Sequence, residues 1–155
     1  MSGKYAIMKR RRVIVMNQNP SVLVIDAQGG GIGRELITRI RAAGLACQIT
    51  AVGTNSAATG NMLRAGADQA ATGENSVIVC VKNADIIIGP IGIVIADAML
   101  GEVTPRMAAA IGQSRAERIL IPFINCGSRI VGVENTNTGK LVQEAVEALA
   151  ELLEG

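Results

Sequence analysis

The stretch Val22-Leu23-Val24-Ile25-Asp26-Ala27-Gln28-Gly29-Gly30-Gly31-Ile32-Gly33 constrains the fold more than any other in the chain. Four apolar residues stopped by an acid read as a buried central strand. Glycines follow at positions 29, 30, 31 and 33. Arg34 to Ala43 then carries Leu36, Ile37 and Ile40 at the spacing of one helical face, with Gly44 as the stop. Strand, glycine loop and helix open a nucleotide-binding βαβ unit. Glycines let the chain turn tightly and approach a ligand, while the helix start offers unpaired N–H groups and the positive end of its dipole to an anion.

The rest of the chain continues that pattern. A second strand is expected near Cys47 to Val52, then a short helix through Ala57 to Ala65 stopped by Gly66. The alternation in VIVCV would also fit a strand, but Asn75 to Asn83 reads as a helix because the next strand, Asp85 to Ile88, follows at once and Pro90 ends it. Ile91 to Leu100 is expected as an apolar helix. Thr104 and Pro105 open another helix through Ile111, proline being suited to a first helical turn. Arg118 to Ile124 is a strand, Asn125 to Ser128 a turn, and Ile130 to Val133 a candidate antiparallel edge strand. Lys140 to Leu153 places Leu141, Val142, Ala145, Val146, Leu149, Leu152 and Leu153 on one stripe, a closing surface helix. The expected fold is α/β: a Rossmann-like three-layer domain over 21–155 around a mostly parallel open sheet of about five or six strands.

Composition sets limits on function. With 155 residues, one Phe, one Tyr and no Trp, the core must come from Val, Ile, Leu, Ala and Met, the filling of a buried parallel sheet. The apolar excess favours a homo-oligomer. There is no histidine, and Cys47, Cys80 and Cys126 are far apart, which argues against a structural zinc site and removes every Ser-His or Cys-His dyad. Lys4, Lys9, Arg10, Arg11 and Arg12 lie in a basic, solvated extension over 1–20. The remainder has 10 basic against 13 acidic residues, net −3. No nucleic-acid partner is expected from that balance. The apolar run Ile86 to Leu100 is shorter than the ~20 residues of a membrane span and contains Gly89, Pro90, Gly92 and Asp97, so no membrane contact is expected either.

Sheets of this kind take ligands beyond the carboxyl ends of their strands. The candidate lining is Asp26, Gln28, Gly29, Gly30, Gly31, Ile32 and Gly33 from the first strand, Thr54 and Asn55 from the second, Glu74 and Asn75 at a helix start, Gly89 and Pro90 after Ile88, and Asn125. The dinucleotide fingerprint is only partly met: anchored on Gly30 and Gly33, Gln28 stands where the first glycine belongs. No Asp or Glu lies about twenty residues on, where AVGTNSAAT stands. The P-loop lysine and serine are absent. The loop Gly31-Ile32-Gly33 looks like that of short-chain dehydrogenases, but Ala27 occupies that family's first glycine and no Tyr-x-x-x-Lys pair exists. Asp26 either bridges a magnesium ion to a phosphate or braces the loop through backbone N–H groups. Asp97, on the expected apolar helix, is an interface or cleft charge, with Glu102 beside it favouring ordinary surface. Cys126 has no visible partner to lower its pKa.

From Val22 to the closing helix, the runs VIDAQGGGIG, VGTNSAATGNMLRAGA, ATGEN, DIIIGPIGI and MLGEVTP resemble a family of small bacterial proteins known as a domain of unknown function. That resemblance implies a compact Rossmann-like fold in a bacterial cytoplasm and brings no catalytic residue with it. Three functions stay open. The first is a binding or regulatory module for a nucleotide, dinucleotide or other phosphate-bearing ligand. The second is an enzyme, either a magnesium-dependent nucleotide hydrolase using Asp26 or a divergent NAD(P)-dependent oxidoreductase. The third is a homo-oligomeric assembly protein.

Overall fold

The computed structural model describes residues 19–123, 127–134 and 137–155. Asn125, Cys126 and most of the basic extension lie outside them. Strand β1 (Ser21–Asp26) leads through the glycine loop into helix α1 (Gly31–Ala42), and β2 (Gln48–Gly53) into α2 (Ser56–Arg64). Then come β3 (Gln69–Thr72), α3 (Glu74–Cys80) and β4 (Ile86–Pro90), followed by a single 3₁₀ turn at Ile91–Val94. Helix α4 (Pro105–Gln113), β5 (Glu117–Ile121) and α5 (Thr138–Glu154) complete the chain.

The five strands form one parallel sheet in the order β3-β2-β1-β4-β5. Because side chains alternate across a strand, the apolar run of β1 feeds two cores. Val22 and Val24 face Leu36, Ile37, Ile40, Met62, Val142 and Leu149, the layer of α1, α2 and α5. Leu23 and Ile25 face Val77, Ile93, Met107 and Ile111, the layer of α3 and α4. Hence β1 and β4 are apolar on both faces, and the fold is the three-layer Rossmann-like arrangement read from the sequence. The chain leaves β1 toward β2 on one side and returns at β4 on the other, so the order reverses between β1 and β4. The register sets Val24 beside Ile88 and Asp26 beside Gly53, which ends all three strands at one level.

The structure adds one strand that the sequence did not signal and corrects two sequence expectations. A strand forms at Gln69–Thr72, where an Ala-rich tetrapeptide carries no β-branched apolar alternation. It is held at its start by Asp68, whose carboxylate accepts from Ile49 N–H (2.7 Å) and from Arg41 (2.8 Å). The apolar stretch Ile91 to Leu100 does not continue as a helix. After its 3₁₀ turn the backbone is left-handed at Asp97 (φ 62°), Met99 (φ 55°), Leu100 (φ 58°) and Gly101 (φ 84°), which no right-handed helix admits. Only Gly92, Ile93 and Ala98 of this stretch are buried, so one turn suffices to sink its apolar content. Lastly, Ile130 to Val133 is a turn closed by Val133 N–H on Ile130 C=O, not an antiparallel edge strand, and Gly132 at φ 85° breaks any extended run.

Among the described residues no helix is long and apolar enough to cross a membrane. Two substitutions separate the packed strand from the looped segment. Ile88→Ala, at a fully buried β4 position, is expected to lower the unfolding free energy by about 2–5 kcal/mol. Leu100→Ala, at a side chain 97% exposed, is expected to change it by less than about 0.5 kcal/mol. Denaturant titration reads both, and a large loss at Leu100 would restore the buried helix.

Candidate functional site

The site begins with the way Asp26 ends β1. Its side chain is buried, and both carboxylate oxygens accept backbone N–H groups of the loop it precedes: Oδ1 from Ala27 and Oδ2 from Gly33, each at 2.7 Å. Ile32 N–H also acts on this carboxylate. Burial pushes the Asp26 carboxyl above its ordinary range; Gly33, Ala27 and Ile32 N–H pull it down, and the charge of Glu102 adds a smaller upward push. Of the two roles the sequence allows this carboxylate, the geometry is that of the brace. A magnesium ion at Asp26 would compete with both of those 2.7 Å bonds, and among the described residues no three acidic or thiol side chains are grouped as a metal site.

Between the brace points the chain makes a tight turn, with Gly30 N–H on Ala27 C=O at 2.9 Å. Gln28 (φ 50°) and Gly30 (φ 68°) are left-handed, and Gly30 caps α1. The loop glycines then divide by surroundings. A Cβ on Gly30 would lie 2.7 Å from Ala58 Cα, and one on Gly33 would press into the Met62 sulfur and the Asp26 side chain. These two are buried and let α1 close against α2 and the sheet. Gly29 and Gly31 are exposed, their φ is not left-handed, and a Cβ on either would meet nothing within 4 Å. Among the described residues no group accepts from the N–H of either one. The fold gives no steric reason for glycine at these two positions.

Gly29 and Gly31 look into a cleft of about 670 Å³ at the reversal between β1 and β4. Its walls are residues 26–32, Pro90, the segment Asp97 to Leu100, and Phe123. On the α2 side, Asn61 donates to Gly29 C=O at 2.7 Å and Arg64 donates to Asn61 Oδ1 at 2.7 Å, which fixes the outer edge of the loop.

Thr54 and Asn55 stand beside the loop at the end of β2, where Asn55 donates to Gln28 C=O at 2.9 Å and caps α2 through Ala58 N–H at 3.0 Å. Glu74 and Asn75 do not join the cleft. Glu74 ties α3 to α4, accepting from Thr104 Oγ1 at 2.6 Å and from Arg106 at 3.0 Å, and Asn75 is exposed on the first turn of α3. Gly89 is buried in β4, where a Cβ would strike Ile25 C=O, so its role is close strand approach; Pro90 is in the wall. Asn125 lies outside the described residues. Burial pushes the Cys47 and Cys80 thiols up, away from nucleophilic character.

Sequence reading missed Glu102. Its carboxylate reaches back across the top of the sheet to accept from Gln28 N–H (3.0 Å), Thr54 Oγ1 (3.0 Å) and Asn55 Nδ2 (2.7 Å). Nothing in the local sequence signals a contact over 74 residues.

A family model described as a domain of unknown function, DUF3842, matches residues 21–154. Among solved structures, the chain is similar to a dodecameric FMN-dependent Ubix-like decarboxylase from Escherichia coli O157:H7, at 16% identity and a TM-score of 0.43 over 85% of this chain and 75% of that one. It is also similar to AibC, at 16% identity and a TM-score of 0.46, and to lactate dehydrogenase from Eimeria maxima with NADH and oxamate, at 16% identity and a TM-score of 0.45. In both cases 86% of this chain spans 42% of the other. No curated protein matches the chain.

Two measurements check the loop geometry. Gly30→Ala is expected to cost at least about 1 kcal/mol, from left-handed strain and the clash with Ala58, whereas Gly31→Ala at an open helical position is expected to stabilise by roughly 0.5–1 kcal/mol. Thermal unfolding of both variants reads the difference. Because the folded pKa of Asp26 is raised, the folded state holds this proton more tightly than the unfolded chain does. Its contribution to stability is full below the ordinary carboxyl value of about 3.9 and is lost as pH rises through the folded value. Carbon-detected NMR titration is expected to place the Asp26 midpoint above the ordinary carboxyl value of about 3.9; a midpoint below it would mean that the three N–H groups outweigh burial.

Proposed function

The chain belongs to the DUF3842 family, and we propose that it is a ligand-binding module whose glycine loop holds a nucleotide or another phosphate-bearing small molecule. The observation that carries this reading is the division among the glycines. Gly30 and Gly33 are needed for packing. Gly29 and Gly31 are exposed, open above, and set on a helix start inside a cleft at the reversal of strand order, where a ligand approaching the backbone is the remaining physical use for a missing side chain. Gly29 and Gly31 N–H would donate to a phosphate, with the positive end of the α1 dipole behind them.

Binding or regulation fits the lining better than turnover. Asp26, the carboxylate closest to the loop, is committed to the backbone at both oxygens, and the other acid in the cleft wall, Asp97, has no base or nucleophile paired with it among the described residues. A homo-oligomer is the second element of the reading. It is supported by the outer edge of β5, which no described strand pairs, and by half-buried Ile119, Leu120, Leu141 and Leu152 beside it. Size-exclusion chromatography with light scattering tests that element.

The cradle is tested by a thermal-shift panel of nucleoside phosphates and dinucleotides, with and without magnesium. One class is expected to raise the midpoint by several degrees at concentrations well above Kd. Gly31→Val is expected to remove that shift while leaving the ligand-free midpoint within about 3 °C. A Gly31→Val protein that binds as the parent does would take the loop out of the site.

A further inference from the structure

The edge between β1 and β2 holds three neighbouring hydrogen-bond donors, each also positioned by a contact other than Glu102. Gln28 N–H is aimed by the left-handed turn from Ala27 to Gly30. The Asn55 side chain is oriented by its own cap, since its oxygen accepts from Ala58 N–H and its amide is left pointing at the loop. Thr54 is fixed by its N–H on Asp26 C=O at 3.1 Å. All three converge on one anionic group, the Glu102 carboxylate.

Glu102 comes from a distant and conformationally costly segment. Asp97, Met99 and Leu100 are left-handed without being glycine, and the hydrogen bonds of this segment run mainly within itself: Asp97 N–H to Val103 C=O, Gly101 N–H to Asp97 C=O, Glu102 N–H to Met99 C=O. Such backbone clusters at sites of function. Ala98 and Val103 anchor the segment in the core, while Leu100 and Gly101 at its tip are exposed. The Glu102 side chain can therefore leave its donors without unfolding the segment that carries it.

We propose that Gln28 N–H, Thr54 Oγ1 and Asn55 Nδ2 form an anion subsite for a phosphate or carboxylate group of the ligand, and that Glu102 fills this subsite when no ligand is present. The subsite lies next to Gly29, so it extends the phosphate cradle proposed above and rests on that reading. Glu102 acts as an internal competitor: a seat closed nine-tenths of the time lowers apparent affinity about tenfold. The same placement gives the cradle a second anchor, favouring ligands with two anionic groups over those with one.

Calorimetric titration of inorganic pyrophosphate and of orthophosphate into the parent, Glu102→Ala, Glu102→Gln and Glu102→Ala/Thr54→Val proteins tests this. Glu102→Ala is expected to bind pyrophosphate about tenfold more tightly than the parent, Glu102→Gln to shift in the same direction, and the added Thr54→Val to return most of the gain. Orthophosphate, with one anionic group, is expected to gain less. Glu102 variants that fold but bind pyrophosphate no better than the parent, while Gly31→Val still abolishes binding, would overturn the subsite and leave the cradle standing. Absence of binding by every protein, including the Glu102 variants, would overturn both.

Discussion

The carboxylate of Asp26 joins the end of the central strand to the start of the first helix, and the rest of the site depends on that join. Its two oxygens take backbone N–H groups from Ala27 and Gly33, six residues apart, so the intervening chain must turn out over the sheet. Burying a carboxylate is costly unless several donors meet it. Here they do: Ala27 N–H from the loop, and Ile32 and Gly33 N–H, otherwise unpaired, from the helix start. Strand, loop and helix are thereby locked as one piece, with Gly29 and Gly31 raised to the cleft.

The helix start carries more N–H groups than Asp26 consumes. Gly33 and Ile32 serve the brace, while no described group accepts from the N–H of Gly29 or Gly31. A protein carboxylate and an incoming anion can thus share one helix start without contending for the same donors. The brace also keeps negative charge beneath the cleft, and Glu102 adds a second charge at its β2 side. In the proposed cradle a ligand phosphate would be held chiefly by backbone dipoles, which favours an exposed, shape-selected group over a deeply buried one.

Much of this was legible in the sequence. The apolar run of β1, the helical spacing of Leu36, Ile37 and Ile40, and the Thr104-Pro105 helix start each act locally, and each element formed near where its pattern lies. Gly30 and Gly33 could not be distinguished from Gly29 and Gly31, because what separates them is the proximity of Ala58 and Met62, set by how α2 packs. Glu102 was given no role in the site because its partners are in loops closed by the sheet. The stretch from Ile91 to Leu100 looked helical by apolarity, and left-handed backbone at three non-glycine residues is not written in composition. Glu74 sat at the right edge of the sheet and was taken up by Thr104 and Arg106, a contact between two helix starts that no local signal predicts.

The most direct measurement is the amide proton–nitrogen spectrum of the protein titrated with a nucleotide selected from the thermal-shift panel. Gly29 and Gly31 should show the largest shifts, with Gln28 and Asn55 following, and Ala27, Ile32 and Gly33 should move little because Asp26 holds them. Shifts confined to β5 and α5, or a glycine loop silent to every nucleotide tried, would contradict the proposed cradle and leave all four loop glycines to packing alone.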